Sequence, residues 1–397
     1  MDSTVTGPGA GPAAASAAAS AGAAGAGEKK LVVKIGSSTL VGADGRIDHA
    51  YLDALAAQVA EVRAAGWQVV VVSSGAIACG LEALGMTQRP TDMPSLQAAA
   101  SVGQSAFASA YAAAFGARGI LTSSVLLTRR DTADRTAYLH ARDTMNRLLE
   151  LGVVPIVNEN DTVSVEQIRF GDNDTLAALV ACLVEATLVV ILSDIDGLYD
   201  ANPVNNPQAK LIPLVNHIGP HIMSVAGGTG SSVGSGGMVT KLRAARVLMA
   251  AGIPLVVACG RKPGVVRSAA FGEQVGTRFA SEGKPHEITP RKLWIALGDS
   301  AKGAVIVDEG ARNALINRGS SLLPVGIAAV DGRFSEGDIV DVKDAAGYIV
   351  ARGRVAFDSD EVSLACGMSS EDLAANRLLS RLAEKPVMHR DELIVFE

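Results

Sequence analysis

Beyond residue 30 the chain alternates between short runs of Val, Ile and Leu and longer stretches in which apolar residues recur every three or four positions. The short runs are Leu31 to Ile35, Val69 to Val72, Ile120 to Leu127, Val153 to Val157, Leu188 to Leu192 and Leu255 to Val257. They predict strands buried on both faces, and hence a mostly parallel sheet covered by helices. Asp48 can cap one such helix, whose Leu52, Leu55, Val59 and Val62 form a stripe and whose stop is Gly66. Ser95 is expected to open a longer, alanine-rich helix with Leu96, Ala100, Gly103, Phe107 and Tyr111 on one face. The small residues on that face permit close approach to another helix, within the fold or across a dimer. Around Thr277 to Pro290 the alternation stops. Short strands follow, punctuated by Asp331-Gly332, Glu336-Gly337-Asp338 and Ala346-Gly347.

The expected fold is therefore α/β: a mostly parallel open sheet sandwiched by helices, with a smaller, mainly β C-terminal domain. The expected segments are a tail over 1–27, a first domain over 28–275, a linker over 276–287, a second domain over 288–372 and a C-terminal extension over 373–397. Residues 3–27 carry no charge and, apart from Val5, are Ala, Gly, Ser, Thr and Pro. That is too weakly apolar for a secretory core, it lacks a basic leader, and it reads as a disordered tail.

Composition narrows the class further. With 48% hydrophobic and 19% charged residues the bulk is neither disordered nor fibrous, and 42 glycines beside 4% aromatics favour close-packed α/β layers over an aromatic-cored sandwich. A net charge of -6 repels nucleic-acid backbones at long range. Cys79, Cys182, Cys259 and Cys366 form no C-x-x-C pair, so they read as buried thiols in a reducing, cytoplasmic compartment.

In open α/β sheets ligands bind beyond the carboxyl ends of the strands, so the chemistry is sought there. The first strand ends in Lys34-Ile-Gly-Ser-Ser and the second in Ser73-Ser74-Gly75. Asn158-Glu-Asn-Asp161 follows the fourth, Gly171-Asp-Asn173-Asp174 begins the next helix, and Ser193-Asp194 closes the fifth strand. Residues 227–237 hold six glycines and run into Met238-Val239-Thr240-Lys241. Flexible backbone at a helix N-terminus with a lysine in its first turn suits phosphate. No G-x-x-x-x-G-K-[ST] occurs, which excludes Walker-type ATPases. Each feature also has a plainer reading: Lys34 as a snorkelling strand-end lysine, Ser74 as a helix cap, the acidic clusters as solvated loops, the glycine run as a linker. Their conjunction at one sheet edge favours a site.

Together these motifs resemble the amino acid kinase family over residues 30 to about 275, and residues from about 288 to 370 resemble a PUA domain. Aspartokinases of that family typically carry Phe-Gly-Gly-Thr-Ser after the first lysine, which is not seen here; acetylglutamate and UMP kinases usually end after the kinase domain. The Gly-Asp-Asn-Asp cluster with a PUA-like tail resembles the branch that phosphorylates the side-chain carboxylate of L-glutamate. The resemblance implies ATP as phosphoryl donor, with Mg²⁺ carried by its phosphates and no dedicated protein ligand. It implies that Lys34 and Lys241 clamp the transferring phosphoryl and that Asp174 orients them. Ser74, Asp161 and Asn173 would hold glutamate, and Lys34, Ser193, Asp194 and Ser235-Gly236-Gly237-Met238-Val239-Thr240-Lys241 would line the nucleotide. Many relatives have threonine where Ser193 and Ser235 stand. Feedback inhibition by proline, a homo-oligomer and functional coupling to glutamate-5-semialdehyde dehydrogenase are further implications, with no membrane.

Because PUA domains elsewhere bind RNA, the rival is an RNA-binding or regulatory protein on a kinase scaffold; another acceptor is a second alternative. Between Lys284 and Asp372 stand four Lys and six Arg against fourteen Asp and Glu, with no basic run. That balance argues against nucleic acid.

Overall fold

The computed structural model describes residues 28–42, 45–128, 134–163, 173–203, 205–226, 237–281, 289–297 and 301–396. The expected tail, residues 282–287 of the expected linker, Gly171, Asp172, Ser235 and Gly236 lie outside the described residues.

Eight strands build the first sheet: β1 (Lys29–Ile35), β2 (Trp67–Ser73), β3 (Thr122–Leu127), β4 (Val154–Glu159), β5 (Leu188–Ser193), β6 (Leu214–Val215), β7 (Leu255–Cys259) and β8 (Thr277–Phe279). Their order is β3-β4-β2-β1-β5-β7-β8-β6. The six strands expected from the apolar runs are all present, each end within two residues of its expected place. They pair in parallel, and the antiparallel partner of β7 is the short β8. All six carboxyl ends consequently open on one edge.

The helices are α1 (Ser37–Leu40), α2 (His49–Ala64), α3 (Ala76–Ala83), α4 (Met93–Gly116), α5 (Arg135–Glu150), α6 (Asn173–Leu183), α7 (Pro220–Val225), α8 (Met238–Ala250), α9 (Val265–Ala270) and α10 (Pro290–Leu297). Successive strand residues face opposite ways, so the sheet buries two cores. Leu31, Val33 and Ile35 pack with Leu52, Leu55, Val59, Phe107 and Val265, whereas Val32 packs with Leu176, Leu179, Leu242 and Leu248. By the same alternation Lys34 lies on the face of Val32, the side from which α6 and α8 approach.

Two local readings change. The cap of α4 is Asp92, whose carboxylate accepts from the Ser95 backbone N–H. Pro94 in the first turn is compatible with this start, because that position has no intrahelical N–H bond to lose. The small-residue face of α4 is used inside the chain: a Cβ on Gly103 would stand 1.9 Å from the Ala76 carbonyl oxygen, and one on Gly80 1.7 Å from that of Ala99. Glycine at both positions is what lets α3 and α4 touch backbone to backbone. Of the thiols expected to be buried, Cys79 is, and the other three are half-buried; all four are free.

The second sheet contains β9 (Gly303–Val307), β10 (Ile327–Gly332), β11 (Ile339–Lys343), β12 (Ile349–Arg354) and β13 (Leu393–Val395), ordered β10-β9-β11-β12-β13. Helices α11 (Glu309–Arg318), α12 (Ser359–Ala365), α13 (Ser370–Ala375) and α14 (Ser380–Glu384) accompany it. This is the smaller, mainly β unit. The stretch beyond 372 supplies β13 and places Leu373, Leu379, Leu382, Val387 and Met388 in the core of this second unit. Helix α10 joins the two units, since Leu293 and Ile295 share one buried cluster with Leu242 of α8 and with Ile339 and Ile394 of the second sheet. Among the described residues no helix is long and apolar enough to cross a membrane.

Candidate active site

The carboxyl edge gathers its polar groups around one carboxylate. Asp174, in the first turn of α6, is fully buried. Its Oδ1 lies 2.6 Å from Lys34 Nζ at the end of β1, and its Oδ2 lies 3.2 Å from Lys241 Nζ in the first turn of α8. Thr240 Oγ1 donates to the same Oδ2 at 2.8 Å. Burial pushes the Asp174 carboxyl up, but the two ammonium groups outweigh it and hold the group below the usual carboxylate range. Two lysines 207 residues apart in sequence thus converge through one acid. Lys34 and Lys241 are only 5% and 4% exposed, so their charges act in a poorly screened setting.

Gly36 lies beside Lys34, where a Cβ would stand at an ordinary contact distance of 3.8 Å from the ammonium nitrogen. Gly237 precedes α8 as its N-cap, and Met238, Val239, Thr240 and Lys241 form the first turn, where helix geometry leaves backbone N–H groups to be satisfied from outside. Ser193 ends β5, buried, and its hydroxyl donates to Asp194 Oδ1 at 3.0 Å; Asp194 itself is exposed. Of the expected nucleotide-lining residues, Ser235 and Gly236 are not described.

Beside this cluster lies a second polar patch. Asn173, adjacent to Asp174, donates to the Ser73 carbonyl at 3.1 Å and to Asn158 Oδ1 at 3.4 Å. Asn158 in turn donates to Gln104 Oε1 at 3.2 Å, and Tyr111 OH donates to Ser73 Oγ at 2.7 Å. Ser74 follows β2 and precedes Gly75, whose φ of +135° at the N-cap of α3 is a conformation only glycine adopts without strain. Asp161 sits in the turn after β4; burial pushes its carboxyl up to about 6 against the pull of Arg89. Gln104 and Tyr111 escape the sequence reading because both sit on a helix whose pattern assigns them to packing. A glutamine at 104 among small residues is the signal that was available.

Among the described residues no group of three or more His, Cys, Asp or Glu side chains is placed to hold a metal ion. Asp174, the deepest carboxylate, is engaged by two lysines and a threonine. The groups around it are hydrogen-bond donors, which suit phosphate oxygens.

Residues 29–259 match the amino acid kinase family, and residues 303–375 match the PUA domain. The first match spans more than half of the chain, and the chain belongs to the amino acid kinase family. At the level of individual proteins it is similar to glutamate 5-kinases. That of Geobacter sulfurreducens is 46% identical, over 92% of this chain and 97% of the relative. That of Chromobacterium violaceum is also 46% identical, again over 92% of this chain and 97% of the relative. A solved UMP kinase from Ureaplasma parvum is 17% identical over 64% of this chain and 99% of that one, at a TM-score of 0.44.

In the second unit several cations are tied to acids: Arg352 to Asp341 at 2.7 Å, Lys343 to Asp331 at 3.2 Å, and Arg381 and Lys385 to Glu336 at 3.2 and 3.3 Å. This adds to the charge balance that disfavours the RNA-binding reading.

Proposed function

We propose that the chain transfers the γ-phosphoryl group of ATP to the side-chain carboxylate of L-glutamate, giving glutamyl 5-phosphate for proline biosynthesis. The observation that carries this reading is the Lys34–Asp174–Lys241 cluster at the carboxyl edge of the sheet, in a chain similar to glutamate 5-kinases over nearly its whole length.

A γ-carboxylate with a pKa of about 4.3 is already ionised at neutral pH, so the reaction calls for no general base. Its difficulty is repulsion between an anionic nucleophile and a polyanionic donor. Lys34 and Lys241 answer this by facing the transferring phosphoryl from two sides, and Asp174 holds both ammonium groups in place beforehand. Such preorganisation costs no rearrangement during the reaction. The first turn of α8 receives the phosphates, with Gly237 to Lys241 and the Ser235-Gly236 pair, while Ser193 and Asp194 line the nucleotide. Magnesium on the phosphates supplies further charge neutralisation.

Glutamate is held by Ser74, Asn173 and Asp161, the last pairing with the α-ammonium. Ionised Asp161 is the competent form, so kcat/KM for glutamate is expected to fall as pH is lowered through about 6, by roughly tenfold per unit below it. A profile flat between pH 5 and 7 would remove Asp161 from ammonium binding. Proline shares the α-amino acid headgroup and is expected to raise the apparent KM for glutamate; inhibition undiminished at saturating glutamate would place it elsewhere. Self-association and coupling to glutamate-5-semialdehyde dehydrogenase belong to the same proposal, and sedimentation of the chain alone and with that enzyme tests both.

The deciding experiment measures ADP release from Mg·ATP with L-glutamate, beside aspartate, N-acetylglutamate and UMP, with hydroxylamine present to trap an acyl phosphate. Glutamate-dependent ADP and hydroxamate are expected. Turnover with another acceptor alone would overturn the substrate, and silence with all four would overturn the kinase assignment.

A further inference from the structure

Helix α8 does two jobs at two of its faces. Its first turn carries Thr240 and Lys241 to Asp174. Five residues further on, Arg246 points elsewhere: it is 9% exposed and its guanidinium carbon lies 5.3 Å from the ring centre of Tyr348 and 6.0 Å from that of Phe396. Both rings belong to the second unit, Tyr348 just before β12 and Phe396 just after β13. The Arg246 Nη2 also donates to the Ile218 carbonyl at 3.5 Å, and the neighbouring His217 ring lies 5.8 Å from Tyr348. One buried cation therefore gathers the phosphate-side helix, the segment leading into α7 and two separate stretches of the second unit.

Burying a guanidinium costs free energy unless it is compensated, and burial here does push its pKa down. The compensation comes first from Tyr348, through its hydroxyl as well as its ring, then from Asp341, while Arg352, 2.7 Å from Asp341 in the same joint, works against it; the Phe396 ring adds a second aromatic face. An aliphatic side chain would pack such a joint without that cost, so the charge points to a need for one fixed geometry. The opposite side of α8 is buried through Ala244 and Leu248. A helix pinned on both sides moves as a rod, and only about 7.5 Å of axial rise separates residues 241 and 246.

We propose that Arg246 is a positioning residue through which the PUA-like unit fixes α8, and with it Thr240 and Lys241, in the register that receives the nucleotide phosphates. The inference rests on Lys241 being a phosphate ligand, as argued above. It assigns the second unit a task in the kinase reaction itself.

The test uses the full chain with Arg246→Met, Arg246→Lys and the milder Phe396→Leu, measuring kcat, KM for ATP, KM for glutamate and the urea midpoint of each. Arg246→Met is expected to lower kcat and raise KM for ATP, together about tenfold in kcat/KM, below the hundredfold in rate that a misplacement of about 1 Å can cost, with KM for glutamate changed less than about twofold. Arg246→Lys should recover part of that loss, and Phe396→Leu should move KM for ATP in the same direction by less. A lowered urea midpoint with kcat and both KM values unchanged would overturn the proposal and leave the joint purely structural. If Arg246→Met does not fold, Phe396→Leu reads the same quantities. Lys241→Ala run alongside separates the two layers: should it leave turnover and KM for ATP unchanged, the phosphate-ligand reading fails, whatever Arg246 does.

Discussion

Lys34→Ala and Lys241→Ala are each expected to lower kcat by at least about a hundredfold, which corresponds to about 3 kcal/mol of transition-state stabilisation. The reasoning is electrostatic. Each ammonium is nearly excluded from water and lies within 3.2 Å of a fully buried carboxylate, so it is already oriented before substrate arrives. Water filling the vacated space would have to reorganise around the developing charge, which the fixed cation does not. Folding should survive either change, because Asp174 keeps the other lysine and the Thr240 hydroxyl. Steady-state ADP release at saturating ATP and glutamate measures the effect, with the urea midpoint as a control on folding. Turnover within about threefold of the unsubstituted chain would remove that lysine from the mechanism.

What the sequence revealed and what it withheld divide along physical lines. Strands β1, β2, β4, β5 and β7 are buried on both faces, and continuous apolar runs are the direct imprint of that burial. Helix α2 was legible because its cap, stripe and stop are all local: Asp48 accepts from Tyr51 N–H, and Gly66 takes a φ of +88°. The start of α4 was misread by three residues because Asp92 and Ser95 are both acceptable caps, and only the backbone path decides between them. At the site, one sheet edge could be expected to collect Lys34 and Lys241. Which acidic residue would stand between them was indicated by resemblance, not by local pattern. The Ser73, Tyr111 and Asn173 contacts link positions 38 and 100 residues apart, and no periodicity encodes them. The joint at Arg246 was hidden for the same reason: in sequence it is one more cation in a helix, and its meaning comes from Tyr348 and Phe396 far downstream.

Asp174→Ala is expected to damage both activity and stability. Removing the carboxylate leaves Lys34 and Lys241 facing each other in a site where neither is more than 5% exposed. Breaking a buried charge pair by deleting one partner typically costs about 3–5 kcal/mol, because the remaining charge stays desolvated without compensation. Here two cations lose one anion. The turnover loss should therefore be at least as large as that of either lysine variant, accompanied by a clear drop in the urea midpoint. Asp174→Asn separates the two effects, since the amide keeps the shape and an acceptor but not the charge. Linkage gives the sign of the pH dependence. In the folded protein the two ammonium groups hold the Asp174 carboxyl below its ordinary range, so its stabilisation is complete above the unfolded value and is lost as pH falls through the folded one. The stability gap between the unsubstituted chain and Asp174→Asn should accordingly be constant near neutral pH and close below about pH 4. A gap that stays unchanged down to the acid limit would mean that Asp174 is not ionised in the folded protein, and the lysine clamp would then lack the anion that orients it.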